Sequence, residues 1–152
     1  MTVKTPAILT IAFAVTLTVV SAMSIALAGE PYLPAGNNFH GFMIRTVDPA
    51  TQPIWELSYA DKMTDADWAR AQQAAANLVR SVSTTASGGN VPAEQARAKS
   101  PKWQGWTRKM AAEANAAKAA ADKKDQMALA TAGDNLLEVC GGCHMEFDQN
   151  AK

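Results

Sequence analysis

The chain of 152 residues carries 14 basic and 14 acidic side chains, so its formal net charge is zero when histidine is neutral. No basic stripe points to a nucleic acid or to an anionic membrane surface. Both of its cysteines fall within one short segment, which leaves none for the disulfide framework typical of small secreted domains.

The first 28 residues have the composition of a signal peptide. Lys4 gives a positively charged start, residues 7–20 form an apolar stretch, and Ala26-Leu27-Ala28 is a small-x-small cleavage signal. An uncleaved membrane anchor is the alternative, but the cleavage signal and the scattered Thr and Ser residues favour removal. Removing residues 1–28 from the 152 leaves 124 residues, the size of one domain over 29–152.

Helical periodicity runs through nearly all of residues 29–152, and no strand-like alternation interrupts it. The first helix is expected from about Asn37 to about Tyr59. At Asp48-Pro49 we expect a helix cap followed by a first-turn proline. This pair therefore predicts a kinked or split helix.

The second helix is expected to start at Thr64, whose hydroxyl can cap it, with Asp67 three residues later. Its apolar stripe continues to Val82, and the segment from Ser83 to Asn90, which contains Gly88-Gly89, breaks the pattern. Residues 91–100 form a polar connector, in which a short helical piece is expected after its proline.

Ser100-Pro101 predicts the start of the third helix, as a cap followed by a first-turn proline, and this helix is expected to end near Lys124. The fourth helix runs from about Asp125 to His144 or to Phe147. Four amphipathic helices joined mostly by short connections predict an all-α fold, an antiparallel four-helix bundle. An elongated coiled coil is the alternative, and the lack of sustained heptads disfavours it.

The end of the fourth helix carries the most specific motif of the chain, Cys140-Gly141-Gly142-Cys143-His144. In c-type haem attachment, two cysteine thiols add across the haem vinyl groups and the following histidine ligates the iron. Residues three and four apart share one face of a helix, so Cys140, Cys143 and His144 can address the same side of a haem. The two glycines leave room for the ring to approach the backbone.

Other sites also use a Cys-x-x-Cys pair. A structural zinc site usually needs four ligands, but the chain has two Cys and two His in all, and His40 is distant in sequence. A redox dithiol normally begins a helix, where the helix dipole lowers the thiol pKa, whereas this motif closes a helical pattern. A plain structural disulfide is a further alternative. Haem attachment is the one interpretation that also uses His144.

Over most of residues 29–152 the chain resembles the class II c-type cytochromes, which include cytochrome c′ and low-spin cytochromes c of similar bundle fold. The resemblance consists of a haem motif on the final helix, in the segment from Leu136 to Phe147, after three helices that carry no second motif. The resemblance implies one covalently attached haem c, held by thioethers to Cys140 and Cys143, with His144 as the proximal iron ligand. It also implies a location in the periplasm, redox partner proteins there, no membrane contact after signal cleavage, and a homodimer as one option.

In this family the sixth iron ligand, where one exists, comes from the first helix. Met43 is therefore the candidate distal iron ligand, and His40, one turn earlier, is a second candidate. Ordinary core packing of Met43 and an open sixth site are the alternatives. Cytochrome c′ carries a basic residue four positions after the proximal histidine, whereas this chain has Asp148, whose carboxylate would repel haem propionates. The open-site subtype is therefore disfavoured.

The chain is thus expected to be a mono-haem c-type cytochrome that carries one electron between redox partners, with His144 and Met43 as axial ligands. A five-coordinate protein that binds nitric oxide or carbon monoxide is the alternative. No acid–base or nucleophilic groups occur at a recognisable spacing, so neither an enzyme activity nor a catalytic residue is predicted. The side chains expected to line the ring, which core packing would explain equally well, are Phe39, Phe42, Trp55, Leu136 and Phe147.

Overall fold

A computed structural model describes residues 38–147, which are almost entirely helical. Its elements are α1 (Phe39–Phe42), a π-helical turn (Met43–Val47), α2 (Asp48–Ser58), α3 (Asp65–Ser87), α4 (Pro92–Ala98), α5 (Pro101–Lys123) and α6 (Gln126–Phe147). The first three elements follow each other without a break and form one continuous helix, called the first arm below. The first arm, α3, α5 and α6 form a bundle, which confirms the predicted all-α fold. The short α4 lies in the connection between α3 and α5.

Neighbouring helices of the bundle run antiparallel. The Gln126 side chain at the start of α6 donates to the carbonyl oxygen of Ala60, just after α2, at 2.7 Å. Trp103 near the start of α5 donates through Nε1 to the carbonyl oxygen of Thr85 near the end of α3 at 2.8 Å. The first arm packs against α3 and α6, and α5 packs against the same two helices.

The core consists of a few large aliphatic side chains and many alanines. Ile54, Leu78, Leu129 and Leu136 are fully buried, and each contributes about 1.5–3 kcal/mol through removal from water. Buried alanines occupy the first half of α3 and the second half of α5, where the Gln72 side chain donates to the carbonyl oxygen of Ala121. These alanines, called the alanine seam below, are Ala71, Ala74, Ala75, Ala114, Ala117, Ala120 and Ala121.

The helix starts agree with the sequence signals, whereas α3 continues to Ser87, beyond the break expected from Ser83. Thr64 and Asp67 form a complete capping box at the start of α3, and the Ser100 side chain accepts from the backbone N–H of Trp103 at the start of α5. Gly88 ends α3 in the left-handed conformation, with a φ angle of 74°. The predicted helical piece after Pro92 is α4.

Of the two expected forms of the first arm, kinked or split, the structure excludes the split, because the helix continues through Asp48-Pro49. Pro49 has no N–H to donate to the carbonyl oxygen of Arg45, and its ring would clash with that carbonyl in a regular α-helix. The π-helical turn widens the helix just before this point, and the N–H of Asp48 donates to the carbonyl oxygen of Met43. The Thr51 hydroxyl also donates to the carbonyl oxygen of Asp48 at 3.0 Å. Asp48 is therefore an interior residue of a continuous helix and not a cap.

Residues 1–28, predicted to be a signal peptide, lie outside the described residues. Within residues 38–147, no helix combines the length and the apolar character that crossing a bilayer requires.

Candidate functional site

The cysteine motif lies in the last two turns of α6, which continues without interruption to Phe147. Cys140, Cys143 and His144 therefore share one face of a regular helix, because they are three and four residues apart. Both thiols are free and half-buried, whereas His144 is exposed. The local arrangement is the one that the motif requires for haem attachment, which itself stays a prediction.

The side chains on the core side of the motif are apolar. Val139 and Leu136 of α6 and Met110 of α5 are buried beside it, and Phe42 and Met43 of the first arm pack partly buried against the same core. The motif therefore borders a water-poor region on its inner face.

Met43 is the first residue of the π-helical turn and is half-buried. A π-helical turn within a helix is frequently found at functional sites. His40, the second candidate, lies in α1 and is also half-buried. Asp48, which follows the π-helical turn, lies close enough to Cys140 to help raise the pKa of its thiol. The π-helical turn itself, with Met43, packs mainly against α3. Ligation of iron by either residue stays a prediction.

Aromatic rings cluster at the motif end of the bundle. The Trp103 ring centroid lies 5.0 Å from that of Phe39 and 5.1 Å from that of Phe147, and Phe39 lies 6.0 Å from Phe42. Trp55 was also expected to line the haem ring. Its Nε1 donates to the carbonyl oxygen of Gly133 at 2.8 Å, two helical turns before the motif. Trp55 therefore does not belong to this cluster.

Trp106 of α5 packs directly against the motif. The end of its six-membered ring lies over Gly142, where an added Cβ atom would approach Cζ3 to 2.7 Å and Cζ2 to 2.8 Å. The indole Nε1 donates to Glu146 Oε2 at 2.8 Å, and Lys102 Nζ lies 2.5 Å from Glu146 Oε1. The Lys109 ammonium lies 4.1 Å from the centre of the Trp106 ring. These contacts attach the end of α6 to the start of α5. The expectation that both glycines leave room for a haem ring is therefore wrong at Gly142, where the Trp106 ring occupies that space.

The contact between Trp106 and Gly142 could not be predicted from the sequence. Gly141 and Gly142 are equivalent in the sequence motif, yet nothing lies within 4 Å of a Cβ atom built on Gly141. The only available signal was the proximity of a large aromatic residue to the start of one helix and of a glycine to the end of its antiparallel neighbour.

Burial raises the pKa of both thiols. The pKa of Cys140 is raised by burial and, to a smaller extent, by the charge of Asp48. The pKa of Cys143 is raised to about 11, mainly by burial and further by Cys140 and Glu146. A reactive redox dithiol has the opposite property, a pKa lowered toward neutrality at the start of a helix. Hydrogen bonds from Lys102 and Trp106 lower the pKa of Glu146.

The donor set fits a covalently attached haem. Two thiols and one imidazole stand at the spacing of c-type attachment, and the motif has a solvent side at His144 and an apolar side at Val139. Within residues 38–147, no three His, Cys, Asp or Glu side chains cluster in the way that a directly bound metal ion requires. Asp148, the departure from cytochrome c′, lies outside the described residues.

A groove of about 440 Å³ lies between the first arm and α3. Its lining includes Phe42, Arg45, Ala50, Arg80 and Ser81, and none of the three motif residues contributes to it. The groove is therefore a separate surface feature.

Compared with known proteins, the chain matches no family model, and no curated protein matches it significantly.

Proposed function

We propose that this chain is a mono-haem c-type cytochrome that carries one electron between redox partner proteins in the periplasm. The observation that carries the proposal is the placement of Cys140, Cys143 and His144 on one face of an unbroken helix within a four-helix bundle. The other uses of a Cys-x-x-Cys pair leave the histidine without a role.

Cys140 and Cys143 would hold the haem through two thioether bonds, and His144 would bind its iron. When bound, the haem supplies an iron centre that changes reversibly between Fe(III) and Fe(II). The half-buried positions of the thiols hold the attachment points at the boundary between core and solvent. Trp106 and Glu146 fix the end of α6 and therefore limit how far the imidazole can move.

Met43 would provide the distal ligand from the first arm. A thioether sulfur is a soft ligand that raises the reduction potential of a haem iron. Val139 and Met110 are buried and Phe42 packs against the same core. Apolar surroundings of this kind would further disfavour the more highly charged ferric state of a haem bound there. In this arrangement no side chain acts as a catalytic residue.

Production of the full chain in a host that matures c-type cytochromes tests the proposal. We expect a coloured protein of which the haem remains attached during denaturing electrophoresis, and we expect attachment to be lost in the variant Cys140→Ser/Cys143→Ser. A colourless wild-type protein with two unmodified thiols would refute the proposal.

The distal ligand is tested by comparing two methionine variants. Met43 and Met63 are both half-buried against the core, but Met63 lies near the start of α3, at the opposite end of the bundle. Met43→Ala is expected to remove the weak charge-transfer band of sulfur-ligated ferric haem, and Met63→Ala is expected to keep it. A high-spin spectrum of the wild-type protein would instead indicate an open sixth site and support the gas-binding alternative.

A further inference from the structure

The basic side chains of this chain are unevenly distributed. Residues 95–112 contain five of the 14 basic residues and none of the 14 acidic ones. The rest of the chain therefore contains nine basic and fourteen acidic residues. The whole chain has a formal net charge of zero, but its basic residues are concentrated in this segment. The five residues, called the basic patch below, are Arg97, Lys99, Lys102, Arg108 and Lys109.

The fold places the basic patch beside the cysteine motif. Lys102 contacts Glu146, two residues after His144, and Lys109 lies over the ring of Trp106, which itself packs on Gly142. All five basic side chains are exposed, and that of Lys102 is 76% exposed. Two of the five basic residues, Lys102 and Lys109, therefore lie next to the end of α6 that carries the motif.

Three acidic residues accompany the basic patch, and all have partners. Glu146 accepts hydrogen bonds from Lys102 and Trp106, Glu94 accepts one from the backbone N–H of Phe39 at 3.0 Å, and Glu113, one turn after Lys109, accepts one from the Asn135 side chain at 3.0 Å. Counting these three carboxylates against the five basic residues, the patch keeps an excess of two positive charges. Such an excess attracts an acidic surface and accelerates encounter at low ionic strength.

We propose that the basic patch, with Trp106 at its centre, is the surface on which an acidic face of a redox partner protein docks. The proposal rests on the proposed function, because docking here brings the partner next to the haem-attachment motif. Trp106 is half-buried and held by Glu146 and Lys109, so it offers a rigid aromatic contact of the kind found at the centres of protein interfaces.

A membrane surface is a less suitable partner for the same charges. Membrane-binding surfaces combine basic residues with apolar side chains that insert between lipids. The large apolar side chains exposed within residues 38–147 lie on or just after the first arm and on α6, and none lies within the basic patch. They are Ile44, Tyr59, Met127, Leu137 and Met145.

The test uses the mature haem protein and two triple variants with equal loss of charge. The patch variant is Lys99→Gln/Arg108→Gln/Lys109→Gln, which leaves the Lys102–Glu146 contact intact. The control variant is Lys62→Gln/Arg70→Gln/Lys123→Gln, in which the three residues lie at the opposite end of the bundle. Binding of a short poly-L-glutamate peptide, which imitates an acidic protein surface, is measured by calorimetry at low ionic strength. Vesicles of phosphatidylglycerol are tested in parallel.

We expect the patch variant to bind the peptide about tenfold more weakly than the wild-type protein, and the control variant to bind it nearly as well as the wild-type protein. Oxidation of the reduced protein by anionic hexacyanoferrate(III) should slow by a similar factor in the patch variant only. Oxidation by cationic tris(phenanthroline)cobalt(III) should not slow in either variant.

Three results would overturn the docking proposal: no peptide binding by the wild-type protein, equal weakening in both variants, or binding to the vesicles without binding to the peptide. A failure of the proposed function is distinguishable, because peptide binding does not depend on colour. A colourless protein that binds the peptide through the patch would refute the electron-transfer role and leave the patch as an acidic-protein site. A coloured protein that does not bind would refute the patch alone.

Discussion

Adding one methyl group at Gly142 tests the contact between α5 and the motif. An alanine Cβ atom at this position would lie 2.7 Å from Cζ3 and 2.8 Å from Cζ2 of Trp106, well inside van der Waals contact. The ring cannot move away without cost, because its Nε1 donates to Glu146 and its face is covered by Lys109. We expect the displacement to cost about 1–3 kcal/mol, as overpacking does in other cores.

Gly141→Ala is the matched control, because nothing lies within 4 Å of its added methyl group. Both substitutions gain about 1 kcal/mol of helix propensity, so this gain cancels when the two variants are compared. Gly142→Ala should therefore be less stable than Gly141→Ala by about 1–3 kcal/mol. For a domain of this size that corresponds to roughly 4 °C in melting temperature per kcal/mol.

The assay is thermal unfolding of both variants, followed by helical circular dichroism. The same pair is then measured in a Trp106→Ala background, where the obstructing ring is absent and the difference between the two variants should vanish. Equal melting temperatures of Gly141→Ala and Gly142→Ala would refute the reasoning, and so would a difference that persists without the Trp106 ring.

Three further predictions concern stability and are measured by denaturant unfolding. Leu136→Ala should lose about 2–5 kcal/mol because Leu136 is fully buried, whereas Leu137→Ala should change stability by less than about 0.5 kcal/mol, since Leu137 is 60% exposed. Thr64→Ala should cost about 1 kcal/mol through loss of the cap of α3. Hydrogen bonds from Thr64 lower the pKa of the Asp67 carboxyl below its ordinary value of 3.8. The stabilisation that the ionised Asp67 gives to the folded protein is therefore fully present above pH 3.8 and is lost as the pH falls through the lowered pKa. Trp55→Phe should cost about 1–2 kcal/mol, because the hydrogen bond from the indole N–H to the carbonyl oxygen of Gly133 is lost.

Each of these predictions has a result that contradicts it. Similar losses in Leu136→Ala and Leu137→Ala would mean that α6 faces the core differently. A wild-type protein and an Asp67→Asn variant with the same acid dependence below pH 3.8 would exclude the capping carboxylate as a contributor. An unchanged stability of Trp55→Phe would mean that water replaces the indole without cost.

Much of the fold could be predicted from local signals, because helix starts are encoded by neighbouring residues. The cap at Thr64 and the Ser100-Pro101 pair act within one turn of the chain, and both helices begin as predicted. The first arm could not be predicted in the same way. Pro49 removes one hydrogen bond from any helix that contains it. The helix stays continuous here because the N–H of Asp48 donates to the carbonyl oxygen of Met43 in a π-helical turn. Whether that turn forms depends on how the first arm packs against α3 and α6, which local sequence does not encode.

Of the candidate site, only the cysteine motif could be predicted from the sequence. The spacing of Cys140, Cys143 and His144 is written in the sequence, and the regular geometry of α6 places them on one face. The contact of Trp106 with Gly142 and the grouping of basic residues beside the motif depend on which helices become neighbours. Neither feature follows from the periodicity of one helix, because both join residues about 40 positions apart.

The alanine seam makes the two ends of the bundle unequal. At the end far from Cys140, small side chains let α3 and α5 lie close together, whereas the rings of Trp103 and Phe147 occupy the space between helices at the other end. Amide hydrogens within the seam should therefore exchange with deuterium only when the whole domain unfolds, while those of the first arm near Phe39 should exchange through local opening.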